Sequence, residues 1–212
     1  MKIFPLSEGV FTIGHDKIMV PFDLANDQLN ERPIGSLLVE IQPFLIQTAR
    51  HLILLDSGLG FRGKSGEWQI FENIHEAGFR PEQVTHVIQS HLHKDHSGGL
   101  CFENELGIKS LAFPNARYFI SALEFDEGLR KGIPSYHPED FAIWIHEENE
   151  TVFFGGDNAP QLKQLKTKYV AKYDYDGQRA MELRQQFAQQ GREENWTFLF
   201  YHDNKTPYSK LV

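Results

Sequence analysis

A single cysteine, Cys101, leaves the chain without the means to build an internal disulfide framework or a thiolate cage around a metal. Any ion held here must be held by His and carboxylate. Positive charge is also scarce: 21 Lys and Arg stand against 29 Asp and Glu, a formal charge of −8. A nucleic-acid backbone needs a concentrated positive surface, so nucleic acid is not the expected partner. Long apolar runs are missing. No stretch approaches the roughly 20 residues of a membrane span, and Pro5 and Glu8 interrupt the N-terminal stretch before a signal-peptide core can form. A soluble, cytoplasmic protein with a small-molecule substrate is expected. Repeats and low-complexity segments are absent as well, whereas 41% hydrophobic and 13% aromatic residues over 212 positions suffice for a real core.

The chain punctuates itself into alternating strand and helix signals. Residues 3–6 and 10–13 are β-prone and flank Glu8-Gly9, which suggests a hairpin. Residues 21–35, with Pro21, Pro33 and Gly35, read as a surface loop, and 36–48 as an extended segment broken at Pro43. Residues 51–58 form a buried strand ending in Asp56, an acid that is either a turn former or a group placed to orient a ligand histidine. Trp68, Phe71, Ile74 and Ala77 recur at helical spacing before Gly78, a natural helix stop. Ser121 and Glu124 have the spacing of a capping box, so a helix should begin at Ser121. Residues 141–145 and 151–154 then pair around an acidic turn. Between 158 and 175, Lys163, Lys166, Lys168 and Lys172 read as a solvated face, with a patch for an anionic substrate as the second reading. Asp176 caps a helix whose Ala180, Leu183, Phe187 and Ala188 share one face and which Gly191 should end. A last strand over 196–201 delivers His202 and Asp203. Strand clusters separated by helices in both halves predict a layered α/β protein with two sheets, one domain over residues 1–212.

The chemistry concentrates at His91-Leu92-His93-Lys94-Asp95-His96, just past the strand expected over 84–89. In an extended chain His91, His93 and Asp95 project to one side while His96 leaves in another direction, so one segment can serve two ions. Imidazole suits zinc and related transition metals, and a neighbouring carboxylate can bind a second ion or accept a hydrogen bond from water on the metal.

These residues resemble the metallo-β-lactamase superfamily, and the resemblance spans nearly the whole chain. Leu54-Leu55-Asp56-Ser57-Gly58 is similar to its strand-end acid motif, residues 85–90 to the strand leading into its HxHxDH element, Asp157 after two glycines to its bridging aspartate, and His202 to its last histidine. The resemblance implies a four-layer αββα sandwich with a dinuclear site at one edge of the two sheets. It implies that His91 and His93 hold one ion, Asp95, His96 and His202 the other, and that Asp157 bridges them. Residues 173–176 and 198–203 look most like the lactonase-like branch, although the tyrosine that quorum-quenching lactonases carry shortly after the bridging aspartate is absent.

One element departs from the pattern. Where the family supplies another histidine from a Gly-His-Thr-Pro-Gly-His-like loop, this chain reads Ser135-Tyr136-His137-Pro138-Glu139-Asp140. Aligned on Pro138, the ligand position falls to Asp140, with His137 as the competing candidate. A third carboxylate would make the centre less positive, raise the pKa of bound water above the value of about 7 typical of activated zinc water, and favour manganese or iron. The segment between Ser121 and Asp140 also looks short, which predicts an open, shallow cleft. The implied activity is metal-dependent hydrolysis: two divalent ions, zinc first, generate a hydroxide that attacks an ester, lactone or related carbonyl, with Asp95 orienting it. Two other readings stand beside it: a metal-binding or ligand-sensing protein of the same fold with little catalysis, and a mononuclear iron enzyme acting on sulfur compounds.

Overall fold

The structure is a computed structural model describing residues 1–104, 106–131, 142–171, 174 and 176–211. Its strands in the first half are β1 (Lys2–Pro5), β2 (Gly9–Ile13), β3 (Met19–Pro21), β4 (Leu37–Ile41), β5 (Phe44–Gln47), β6 (Leu52–Leu55) and β7 (His86–Ile88). Then follow β8 (Cys101–Glu103), β9 (Lys109–Leu111), β10 (Arg117–Phe119), β11 (Ile143–Glu147), β12 (Glu150–Phe154), β13 (Thr197–Leu199) and β14 (Tyr208–Lys210). The helices are α1 (Gln69–Glu76), α2 (Lys94–Ser97), α3 (Ala122–Lys131), α4 (Leu162–Lys166) and α5 (Gly177–Glu193).

Among the described residues one sheet has the order β1-β5-β6-β7-β10 and the other β11-β12-β13-β14, with β3-β2-β4 as a smaller third sheet. Strand alternation sorts the apolar residues into three seams. Phe44, Ile46, Ile53 and Leu55 from the first sheet meet Val152, Phe154, Leu199 and Tyr201 from the second. Their neighbours Leu45, Leu52 and Leu54 face outward against Ile70 and Ile74 of α1. Phe153, Phe198 and Phe200 face outward on the other side against Leu183, Phe187 and Ala188 of α5. The layers therefore run helix, sheet, sheet, helix, the αββα sandwich expected. Because β6 is covered on both faces and pairs in parallel with β7, it reads as the continuous apolar run Leu52–Leu55. Each such side chain, fully buried, contributes about 1.5–3 kcal/mol.

Several local expectations change. The stretches around Glu8-Gly9 do not pair with each other: β1 pairs with β5 and β2 with β4, both antiparallel. Pro43 and Gly9 (φ 110°) lie where this long two-strand ladder passes from one sheet to the next. Gly191 does not stop α5, which continues to Glu193. It sits where a Cβ would collide with Phe198, so it permits close packing of helix on sheet. The strands β3, β8, β9 and β14 and the helix α4 are too short for periodicity to reveal. α3 begins at Ala122 as the Ser121 signal predicts, yet the Glu124 carboxylate reaches inward to accept the Leu92 N–H at 2.8 Å.

Candidate metal centre

The segment 91–96 stays extended only as far as His93, which precedes the first residue of α2; Asp95 and His96 then stand on a helical turn. That turn separates the ligand atoms into two groups. His91, His93 and Asp157 form one, and Asp95, His96 and His202 the other, with the ligand atoms within each group inside 4.8 Å of one another. His202 arrives from the end of the β13 segment and Asp157 from a 3-10 turn, Gly156–Asn158, that follows β12. Asp140 and His137 lie outside the described residues, as does the second part, 132–140, of the short segment expected to leave the cleft open.

Asp157 stands between the groups. Its Oδ2 is 3.7 Å from His91 Nε2, while its Oδ1 is 3.1 Å from His96 Nε2 and 3.0 Å from His202 Nε2. Asp95 Oδ2 is 3.6 Å from both His96 Nε2 and His202 Nε2. Two ligands about 2.1 Å from one tetrahedral ion stand about 3.4 Å apart, so these separations match the edges of coordination polyhedra. His91 Nε2 and His93 Nδ1, at 2.8 Å, are closer than that ideal.

The outer ring nitrogens are engaged elsewhere. Asp56 Oδ2 accepts His96 Nδ1 at 2.7 Å and the Ser90 hydroxyl at 2.7 Å; the same hydroxyl faces His91 Nδ1 at 3.0 Å. His202 Nδ1 donates to the Glu40 carbonyl at 2.7 Å. These partners fix tautomers in which each Nε2 presents a lone pair to the interior, the arrangement a cation requires. His96 Nε2 and Asp157 Oδ1 are buried with no hydrogen-bond partner among the described residues. Buried polar atoms are rarely left so, and a positive ion between them fits both.

Electrostatics among the protein groups sharpen the point. Burial drives the His91 imidazole well below its ordinary value, with His96 adding to the fall. At His96 burial acts in the same downward sense, but the carboxylates of Asp157, Asp95 and Asp56 outweigh it and hold the ring well above its ordinary value. Burial opposes ionisation of Asp157, yet His96 and His202 keep its carboxyl well below the usual range. The cluster already stabilises positive charge on its Asp side.

Sequence reasoning named the candidate ligands, and Asp56 as a group able to orient one of them, but missed the other supports. Ser90 carries no signal beyond adjacency to the motif, and the signal of Glu124, three residues after Ser121, points to a helix cap and not to the site. Tyr201 stacks on the His96 ring at 4.1 Å and donates its hydroxyl to the Asp95 carbonyl at 2.6 Å, contacts between segments 106 residues apart.

Residues 40–100 match the sequence model of the Metallo-beta-lactamase superfamily. An N-acyl homoserine lactonase from Bacillus cereus is 24% identical, with 80% of this chain and 84% of that protein covered. Among solved structures, a probable metal-dependent hydrolase from Staphylococcus aureus has a TM-score of 0.75 at 20% identity, over 99% of this chain and 91% of that one. A dizinc quorum-quenching lactonase has a TM-score of 0.68 at 19% identity, over 98% and 89%. The resemblance drawn from the residues stands, and the chain has the metallo-β-lactamase fold. Together these similarities support a metal-dependent hydrolase.

Proposed function

We propose that the protein is a dinuclear metal-dependent hydrolase whose substrates are esters, lactones first. The observation that carries this reading is the division of Asp157's two oxygens between the two histidine groups. His91 and His93 would hold one ion and Asp95, His96 and His202 the other, with Asp157 shared between them. Two such ions supply Lewis acidity, lowering the pKa of water and polarising a carbonyl. Asp95, whose side chain is partly exposed, accepts a hydrogen bond from the attacking water, orients it toward the carbonyl carbon, and relays its proton to the leaving oxygen. His93 and Asp157 are likewise partly exposed, which places the substrate's approach on their side. The similarity to lactonases supports a lactone over an open ester, and zinc over manganese or iron.

Asp140 is proposed as the further ligand of the first ion in place of the family's histidine. The test measures metal content and turnover on one sample against N-acyl homoserine lactones, aryl esters and, with oxygen consumption followed, low-molecular-weight persulfides. The expected result is two equivalents of metal and lactone turnover, with one equivalent lost in Asp140→Ala and both retained in His137→Ala. Two metals with no turnover of any substrate would favour the ligand-sensing reading. One equivalent of iron with oxygen consumption would favour sulfur chemistry.

A further inference from the structure

The chain leaves β6 through a turn, 56–59, in an unfavourable backbone conformation. Asp56 and Gly58 both have positive φ, 57° and 73°, and for a residue with a side chain such a conformation persists only where its surroundings hold it. One side of the turn is tied to α2. The Ser57 N–H and hydroxyl both donate to the His96 carbonyl, at 2.7 and 3.1 Å, and the Gly98 N–H donates to the Gly58 carbonyl at 2.8 Å. The approach is so close that a Cβ on Gly98 would collide with the Leu59 carbonyl. Where this turn stands therefore decides where Asp95 and His96, both on α2, stand.

Glu8 holds the other side. It lies between β1 and β2, and its backbone is fixed at both ends: its N–H donates to the Ile41 carbonyl at 2.8 Å, and its carbonyl accepts Nε2 of Gln69, on α1, at 3.1 Å. From this anchored position its Oε2 accepts the Leu59 N–H at 2.6 Å, across 51 residues of chain. The carboxyl lies against Gly58, where a Cβ would collide with its carbon and both oxygens. Glu8 is buried, and its Oε1 has no hydrogen-bond partner among the described residues. A carboxyl is an unfavourable group to bury in this way, and Leu would fill the same volume without that loss. The use of Glu here is its reach and its acceptor.

We propose that Glu8 is a positioning residue of the metal centre: its carboxyl clamps the turn 56–59 and so sets where α2 presents Asp95 and His96. The clamp itself rests on the fold, and its effect on metal rests on the dinuclear reading. His91 is held by another route, through the Ser90 hydroxyl and the Asp56 side chain, and the Asp56 N–H keeps its own bond to the Ile88 carbonyl at 3.0 Å. The effect is therefore selective. The ion of Asp95, His96 and His202 depends on Glu8, and the ion of His91 and His93 does not.

Three variants separate reach from charge: Glu8→Gln keeps length and acceptor, Glu8→Asp keeps the charge but falls short of Leu59, and Glu8→Leu keeps the volume alone. In the metal-free full chain, amide exchange at Ser57 should quicken about tenfold in Glu8→Asp and Glu8→Leu and stay as in the parent in Glu8→Gln, with the β13 amides unchanged in all three. Chelator competition on the zinc-loaded chain should then show one ion weakened about tenfold in Glu8→Asp and Glu8→Leu, the other held as in the parent, and both held in Glu8→Gln. Unchanged Ser57 exchange in Glu8→Asp and Glu8→Leu, exchange that quickens equally in β13, a Glu8→Gln that behaves as Glu8→Leu, or two ions weakened alike overturns the proposal. A parent that takes up fewer than two ions counts against the dinuclear reading instead, and the exchange at Ser57 then decides the clamp by itself.

Discussion

Oδ2 of Asp56 stands 2.7 Å from Nδ1 of His96, and both side chains are fully buried. The same carboxylate takes the Ser90 N–H at 2.7 Å on Oδ1 and the Ser90 hydroxyl at 2.7 Å on Oδ2, so it orients His96 directly and His91 through Ser90. It does this from a backbone with φ of 57°, a left-handed conformation that Asp tolerates better than most residues. One carboxylate thus sets ring orientation in both ligand groups. Asp56→Ala should lower metal affinity about 10–100-fold at both sites, as loss of an orienting partner does. Asp56→Asn should also fail, because an amide cannot offer the same oxygen to two donors while keeping the second oxygen for Ser90 N–H. Metal retained after dialysis against buffered zinc checks this; retention equal to the parent in Asp56→Ala would remove Asp56 from the centre.

Arg184 anchors the turn that carries Asp157. Its Nε donates to the Asn158 carbonyl, its Nη1 to the Tyr169 carbonyl at 2.9 Å, and its guanidinium pairs with Asp174 at 2.9 and 2.7 Å. Removing one partner strands a buried charge, at a cost of about 3–5 kcal/mol. Arg184→Met should therefore destabilise by that amount, and the double variant with Asp174→Ala should recover part of it. Urea unfolding reads the energies. A double variant whose loss equals the sum of the losses in Arg184→Met and Asp174→Ala would show that the pair is not coupled.

Glu8 titrates unusually. Burial pushes its carboxyl up to about 7, opposed only in part by the Leu59 N–H. In the unfolded chain a Glu ionises near about 4.3. Between these values the folded protein keeps a proton that the unfolded chain has released, so this group's contribution to stability falls as pH rises and levels off above about 7. The total is about 4 kcal/mol, of which about 3 kcal/mol falls between pH 4.5 and 7.5. Glu8→Gln carries no titrating proton, so its stability relative to the parent should improve by about 3 kcal/mol over that range. Urea unfolding at three pH values, both proteins treated with the same chelator, checks the slope. A gap that does not vary with pH would mean that Glu8 is ionised in the fold.

Each part of the site had a different legibility. His91, His93, Asp95 and His96 announce themselves because six consecutive residues bring the ligand chemistry together, and short-range spacing survives folding whatever the tertiary context. The layer order was readable because strand and helix periods are local: Trp68, Phe71 and Ile74 mark α1, and Ala180, Leu183 and Phe187 mark one face of α5. The partition of the ligands was less so. Extended-chain geometry alone sends Asp95 to the side of His91 and His93; the family resemblance groups it with His96 and His202, and the turn of α2 brings the atoms together in that second way.

The sequence by itself determined which residue types are gathered, that no thiolate joins them, and that strands and helices alternate in a way that buries two sheets between helices. These follow from composition and from periods of two and 3.6, which are properties of neighbours along the chain. Tertiary structure alone decided which strands pair and which partners hold the ligands. Glu8-Gly9 reads locally as a hairpin turn, yet β1 and β2 each find a partner near Pro43. Asp56 meets His96 across 40 residues, and Tyr201 meets Asp95 across 106. Such contacts are made by folding elements from separate stretches onto one edge, and a residue carries no local mark of the distant group it will face.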